Sequence, residues 1–274
     1  MMMHGVKRAK ADSAGDDSAT DPEAIAEEKA RLEEYKLLNG ALLNRHALQQ
    51  YSENDSLPLS AAVLKLNPEH VTAWSFRRHC LLALRFKAGK DDQQFEQALK
   101  GELPITLASF ERNPKAYPIW EHRKWVLGHL SLADWNAELK LLERFLKIDG
   151  RNFHAWDYRR YIISKLKQQA PSSSLNTEEL NFSARQIESN FSNFSAWHYR
   201  SKLLEPELTQ SIDQEENQQR RLIEELEWVR GALWIDPNDQ SAWLYHRWLM
   251  SHTRNEKILS AEIHSIEELL EINY

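Results

Sequence analysis

NPKAYPIWEHRKW, residues 113–125, sets a Trp seven positions after an Asn and an Arg three positions after that Trp. The same frame returns five times. Trp74, Trp120, Trp156, Trp197 and Trp243 are separated by 46, 36, 41 and 46 residues, and Asn67, Asn113, Asp149, Asn190 and Asp236 stand seven places before them. The inner offset is constant while the distance between copies drifts, which marks a tandem structural repeat with variable connections.

Pro68, Pro114 and Pro237 follow three of these anchors and Gly150 a fourth. Proline cannot continue a helix interior and suits the first turn of a new helix. Glycine takes the left-handed place past a helix end, and Asn or Asp tolerates that conformation. Each anchor is thus expected to end one helix and start another. Apolar-periodic stretches such as LKLLERFLKI and EWVRGALWI precede the anchors, and a Trp-bearing stretch follows each. The unit reads as a helical hairpin and the chain as all-α. The polar connectors AGKDDQQ, QQAPSSSLNTEE and EPELTQSIDQEENQQ are expected between the two helices of a hairpin.

Arg77, Arg123, Arg159 and Arg200 lie one helical turn beyond the Trp; in the fifth copy His246 holds that place and Arg247 follows, and Arg247 is taken as the fifth member of the set. A guanidinium fork presents five fixed donors, enough to tie the last carbonyls of a helix or the anchor Asp of a neighbouring hairpin. The indole would fill the space between hairpins. Both residue types read as packing devices.

Composition agrees with this class. Ten Trp, 8 Gly and 9 Pro in 274 residues, 42% of them hydrophobic, favour long helices and a substantial core over many short strands. A net charge of -6 without a basic block gives no electrostatic footprint for nucleic acid. Cys80 is the single cysteine, which excludes an internal disulfide and fits a reducing compartment, the cytosol. No apolar run approaches a membrane span. Residues 1–22 carry basic residues with no apolar segment after them and read as a mobile tail before a helical-repeat domain over 23–274. That domain opens with one long helix over 23–50. At the other end AEIHSIEELLEIN matches the helix before an anchor, with Asn273 in the anchor place, as in a sixth unit begun.

Eleven His residues invite a metal or acid-base reading, but they do not recur at one place in the repeat and show no ligand spacing. No phosphate loop or nucleophile elbow is present, so the chain alone does not read as a catalyst or a metal protein. One feature belongs to the middle units only. Three residues before the Trp they carry Tyr117, Phe153 and Phe194, where the outer units have Val71 and Gln240. These aromatics fall in the first turn of the Trp helix, where the dipole favours an anion, and Lys115 adds a cation two residues before Tyr117. A partner surface or a charged substrate suits such a place; local packing of the ring and a solvated Lys is the plainer alternative.

Five tandem copies of N-P-x5-W-x-x-R resemble the repeat of protein prenyltransferase alpha subunits over about residues 60–274. NPKAYPIWEHRKW, RNFHAWDYRRY, NFSNFSAWHYRS and DPNDQSAWLYHRW are most similar to the Rab geranylgeranyltransferase branch. The resemblance implies a right-handed superhelical solenoid of helical hairpins wrapped around a beta subunit, which would hold zinc and the lipid pocket; no cofactor is implied for this chain. It further implies transfer of geranylgeranyl from geranylgeranyl diphosphate to C-terminal cysteines of Rab GTPases presented by a Rab escort protein. The family motif places Lys115 and Tyr117 on the diphosphate side and Phe153 and His154 toward the partner, a face that Phe194 and His198 extend. The alternative is a stand-alone helical-repeat scaffold of the tetratricopeptide kind. That repeat has a fixed period of 34 and no Asn/Asp-to-Trp offset.

Overall fold

The computed structural model describes residues 22–88, 92–170, 173–209 and 215–273. The expected tail, residues 1–22, lies outside the described residues except for Pro22. Every regular element among the described residues is a helix. They fall into two compact units, residues 1–131 and 132–274. The first holds α1 (Pro22–Ala47), α2 (Ser56–Leu66), α3 (Val71–Ala88), α4 (Asp92–Arg112) and α5 (Tyr117–His129). The second holds α6 (Trp135–Ile148), α7 (Phe153–Gln169), α8 (Ser173–Ser189), α9 (Phe194–Leu208), α10 (Glu215–Ile235), α11 (Gln240–Met250) and α12 (Glu256–Asn273). The expected first helix over 23–50 is α1.

Each anchor joins the two helices of a hairpin: α2/α3 and α4/α5 in the first unit, α6/α7, α8/α9 and α10/α11 in the second. The polar connectors therefore join one hairpin to the next, not the two helices of one hairpin as expected; parts of all three lie outside the described residues.

The anchor works by a different device from the one its residue types suggest. Asn67 and Asp149 have extended backbones (φ -136°, ψ 91° and φ -134°, ψ 88°), not left-handed ones. In all five copies the anchor's Oδ1 accepts the N–H two residues on, at Glu69, Lys115, Arg151, Ser192 and Asn238 (3.0–3.1 Å). Its own carbonyl accepts the N–H three residues on, closing a β-turn. Asn or Asp first and Pro second is the sequence preference of such a turn, so Pro68, Pro114 and Pro237 sit inside it, ahead of the helix. The Trp then locks it. Each indole Nε1 donates to the carbonyl of the residue after the anchor: Trp74 to Pro68 (2.9 Å), Trp120 to Pro114 (3.0 Å), Trp156 to Gly150 (2.8 Å), Trp197 to Phe191 (2.6 Å) and Trp243 to Pro237 (2.7 Å). The seven-residue offset follows from the reach of an indole on the fourth residue of its helix back to the carbonyl six residues earlier, one past the anchor. Gly150 serves by close approach: a Cβ there would stand 3.0 Å from Asn193 Nδ2, which donates to the Gly150 carbonyl at 2.9 Å.

Four of the five Trp are buried; Trp243 is half buried. Three of the indole faces pack against the following hairpin: Trp74 on His122 (4.6 Å between centroids), Trp156 on Tyr199 (5.1 Å) and Trp197 on Tyr245 (4.7 Å).

The arginines bond to a partner that the sequence reading left out. Arg77 grips Glu102 with Nε (2.5 Å) and Nη2 (2.9 Å), Arg159 grips Glu179 (2.7 and 2.5 Å) and Arg200 grips Glu225 (2.7 and 2.6 Å). Each glutamate is on the first helix of the next hairpin, so the pair clamps two hairpins together. These three carboxylates, and Glu138 with them, accept from the residue two past the Trp of their own hairpin: His122 on Glu102, Tyr158 on Glu138, Tyr199 on Glu179 and Tyr245 on Glu225. Nη1 of Arg77, Arg123 and Arg200 goes instead to a carbonyl (Leu57, Leu103, Leu180) and a hydroxyl (Ser60, Thr106, Ser183). In the third hairpin Leu142 stands where that hydroxyl would be, and Nη1 of Arg159 is buried without a hydrogen-bond partner among the described residues. The fifth copy corrects another expectation: Arg247 is exposed, and His246 is the buried residue, with Nε2 2.9 Å from Glu262.

Burial opposes charge at this junction, yet Glu225 outweighs it and raises the Arg200 pKa above its usual value. Burial first, then the charge of Glu225, pushes the Tyr245 phenol well up, so it stays a donor. Glu225→Leu should destabilise the protein by about 3–5 kcal/mol, because Arg200 is left buried and unpaired. Adding Arg200→Met should recover most of that loss in urea unfolding. A double variant as unstable as Glu225→Leu alone would show that the pair does not act as a unit.

Candidate functional site

With the Trp, Arg, Tyr and Glu turned inward, the positions three before the Trp face outward. Tyr117 is 59% exposed, Phe153 68% and Phe194 49%, against 1–2% for the buried Trp next to them. Ring against water is costly for a helix already packed on its other side, which separates these residues from the core set.

In the first unit Lys115 and Tyr117 stand at the start of α5, and both are exposed. Lys115 is carried by the anchor turn, its N–H held by Asn113 Oδ1 at 3.1 Å. This helix start differs from the others. His70, Asn152, Asn193 and Asp239 cap their Trp helices with a side chain accepting from an N–H of the first turn. Ala116 occupies the same place before α5 and has no capping side chain. An uncapped helix start beside a lysine is favourable ground for negative charge.

Beneath that surface His122 is fully buried between Glu102 (Nε2, 3.0 Å) and Arg78, whose Nε donates to His122 Nδ1 at 3.4 Å. Burial, opposed but not overcome by Glu102, lowers the His122 pKa, so the imidazole is neutral with its proton on Nε2. Burial would raise the Glu102 pKa, but hydrogen bonds from His122 and Arg77 hold it below the usual carboxylate value.

In the second unit the N-terminal turns of α7 and α9 carry the other four expected residues. The Phe153 and His154 rings lie 3.9 Å apart, with His154 half buried. Phe194 stacks on His198 across one turn (5.9 Å, 14° between planes). Burial, with Lys202 and Arg160 nearby, lowers the His198 pKa and keeps it uncharged near neutrality. The turns bearing the two aromatics are tied by Asn193 to Gly150 and by Arg151 Nη2 to the Ser192 carbonyl (2.9 Å). The sequence reading placed Lys115 and Tyr117 on the diphosphate side and Phe153, His154, Phe194 and His198 on the partner interface; the structure exposes Tyr117, Phe153, Phe194, Lys115 and His198, with the first pair in the first unit and the other four in the second.

Sequence reasoning missed the buried glutamates, although a signal exists. Glu102, Glu138, Glu179 and Glu225 each stand 18 residues before a repeat Trp, and Ser56 holds that place in the first copy. It missed the absent cap at Ala116 as well, which is readable four residues before each Trp. Among the described residues no group of three or more His, Cys, Asp or Glu is placed to hold a metal ion, and no helix is long and apolar enough to cross a membrane.

Stacked hairpins closed by a Trp-locked turn and a buried Glu junction define a helical-repeat protein of one particular kind. The family model "Protein prenyltransferase alpha subunit repeat" matches residues 54–84, 99–130, 135–166, 176–205 and 222–253, the five hairpins found here, and the chain belongs to that family. It is 39% identical over 253 residues to the geranylgeranyl transferase type-2 subunit alpha of Sus scrofa, covering 90% of this chain and 42% of that protein. The subunits of the same name from Schizosaccharomyces pombe (35%, covering 98% of this chain and 81% of that protein) and Candida albicans (30%, covering 91% and 73%) also match. The chain therefore spans under half the length of its mammalian relatives. Its fold is similar to that of a solved structure titled Candida albicans protein geranylgeranyltransferase-I complexed with GGPP, with a TM-score of 0.62 at 24% identity over 80% of this chain and 67% of that one.

The depressed His122 pKa fixes the sign of a pH effect. Unfolded histidine takes up its proton near 6.5, the folded residue only at lower pH. The unfolded state then binds more protons in between, so stability is full above about 6.5 and falls as pH drops from there. Glu102 adds to the loss further down, as pH falls through its own lowered value. His122→Tyr, the residue type at this place in the next three hairpins, should flatten the thermal-midpoint curve between pH 7 and 5, where His70 and His198 leave a residual slope. An unchanged slope would remove His122 as its source.

Proposed function

We propose that this chain is the alpha subunit of a heterodimeric protein geranylgeranyltransferase. The heterodimer would transfer geranylgeranyl from geranylgeranyl diphosphate to C-terminal cysteines of Rab GTPases, presented by a Rab escort protein in the cytosol. The observation that carries the reading is the outward position on the Trp helices: aromatics in the middle hairpins only, with Lys115 beside the one Trp helix among the described residues whose start has no side-chain cap. Its relatives bear the name of that subunit.

In the reaction the acceptor sulfur bonds to C1 of the prenyl chain as the C1–O bond breaks. The bonding pair leaves with the diphosphate, and the thiol proton goes to solvent. Zinc, when bound by the beta subunit, supplies the thiolate at neutral pH. The role of this chain is the other end of the breaking bond. Lys115 and the start of α5 offset charge gathering on the leaving diphosphate, and the Tyr117 hydroxyl can donate to it. Phe153, His154, Phe194 and His198 give the beta subunit a partly apolar, aromatic surface. Aromatics at such positions bury large area with little side-chain entropy to lose.

Lys115→Ala, made in the chain co-expressed with a prenyltransferase beta subunit, should leave the heterodimer intact and slow transfer by about 10–100-fold, the range for one lost charged contact to developing charge. A chain that stays monomeric with every beta subunit tried, and gains no geranylgeranyl transfer, would instead mark it as a stand-alone scaffold.

A further inference from the structure

His122 is the departure from which this inference starts. Three hairpins put Tyr158, Tyr199 or Tyr245 against the buried glutamate; the second hairpin puts an imidazole there. A phenol spends its one polar atom on that bond. The imidazole gives Nε2–H to Glu102 and keeps a lone pair on its opposite edge, and Arg78 of α3 donates Nε to it. Arg78 is half buried between α3 and α5. Among the described residues its two terminal nitrogens donate to no protein acceptor and it makes no ion pair, whereas its neighbour Arg77 is fully engaged by Glu102, Ser60 and the Leu57 carbonyl. The electrostatic neighbours of Arg78 on α5 are Glu121 and Tyr117, and Glu121 is already paired with Lys124 at 3.0 Å.

The chemistry of this tether is specific. A carboxylate holding Arg78 would cancel its charge; a neutral imidazole fixes the guanidinium by one nitrogen and leaves the charge and the rest of the fork unspent. Half burial makes that charge more effective than a solvated one. Two parallel N–H donors on a fixed plane suit a pair of phosphate oxygens. Through His122 the tethered cation packs on α5 five residues after Tyr117, on the helix whose start lacks a cap and follows Lys115.

We propose that Arg78 is a further cation of the diphosphate end, and that His122 is the positioning residue that aims it. The inference rests on the assignment of Lys115 and Tyr117 to that end.

The test uses the chain assembled with a prenyltransferase beta subunit and three probes: geranylgeranyl diphosphate, the protein acceptor and inorganic pyrophosphate as product inhibitor. Arg78→Gln should raise KM for geranylgeranyl diphosphate roughly tenfold and weaken pyrophosphate inhibition to match, as expected for one charged hydrogen-bonding contact. KM for the acceptor, heterodimer assembly and thermal midpoint should hold. Arg78→Lys should restore part of the loss. His122→Tyr, which keeps Glu102 satisfied and frees Arg78, should shift the same two quantities by a smaller factor. If Arg78→Gln leaves both unchanged while Lys115→Ala still slows transfer, the Arg78 inference falls and the diphosphate assignment stands. If both variants are silent, the assignment itself falls. A loss spread equally over both substrates with a lowered thermal midpoint makes Arg78 structural and also overturns the inference.

Discussion

The buried glutamate on the helix that follows each Trp helix is the constraint around which the rest is arranged. Glu102, Glu138, Glu179, Glu225 and Glu262 are only 2–4% exposed. A lone carboxylate at such depth would cost several kcal/mol, and a hydrophobic residue would fill the space without that cost. What the ion offers is direction. The two oxygens of Glu102, Glu179 and Glu225 take a bidentate guanidinium from the preceding hairpin and a hydroxyl or imidazole from their own, so those hairpins bond in one register. A one-turn slip would strand a charge on each side of the joint. Indole packing alone is tolerant of such a slip, because an apolar face has no preferred partner atom.

Much of this was legible in the sequence, and the illegible parts share a cause. The Trp and anchor stand out because both are rare and their offset is constant. Their function as a hairpin corner follows from the residue types, even though the corner is an Asx turn with extended anchors and not a left-handed cap. The glutamates carry an offset just as constant, 18 residues before the Trp, but Glu is among the commonest residues of exposed helix surface and the copies lie among many solvated ones. Nothing local marks which one is inside. The histidines misled in the opposite sense: scattered over the repeat, they look unrelated, yet His122 and His246 each stand in for a neighbour type at the same junction, a Tyr in one hairpin and an Arg in another.

Because the inward residues fix each hairpin, the outward ones are free to differ between copies, and they do. Val71, Tyr117, Phe153, Phe194 and Gln240 occupy one repeat position with no common packing duty. The candidate site is a variation written on that uniform frame. This explains why it was partly readable: comparing copies within the chain shows which positions vary, without showing what they meet. The missing cap at Ala116 and the His122–Arg78 tether lie one layer further in, where only side-chain geometry connects them.

The spacing of the contacts shows where the repeat can stretch. Inside a hairpin the separations do not change: 6 residues from indole to carbonyl in five copies, and 20 from glutamate to Tyr or His in four. Across hairpins they do, with 25, 20 and 25 residues from Arg to Glu and 16 from His246 to Glu262. The whole length variation of the repeat therefore falls on the segment between the Trp helix and the next glutamate. An insertion there costs only loop entropy, which grows slowly with length, and leaves both ends of the ion pair on rigid helices. An insertion inside the hairpin would move the Tyr off the carboxylate or the indole off its carbonyl. The drifting Trp-to-Trp distance and the constant Asn-to-Trp distance are thus two sides of one requirement: the junction must close, and only the connection that bypasses it is free to vary.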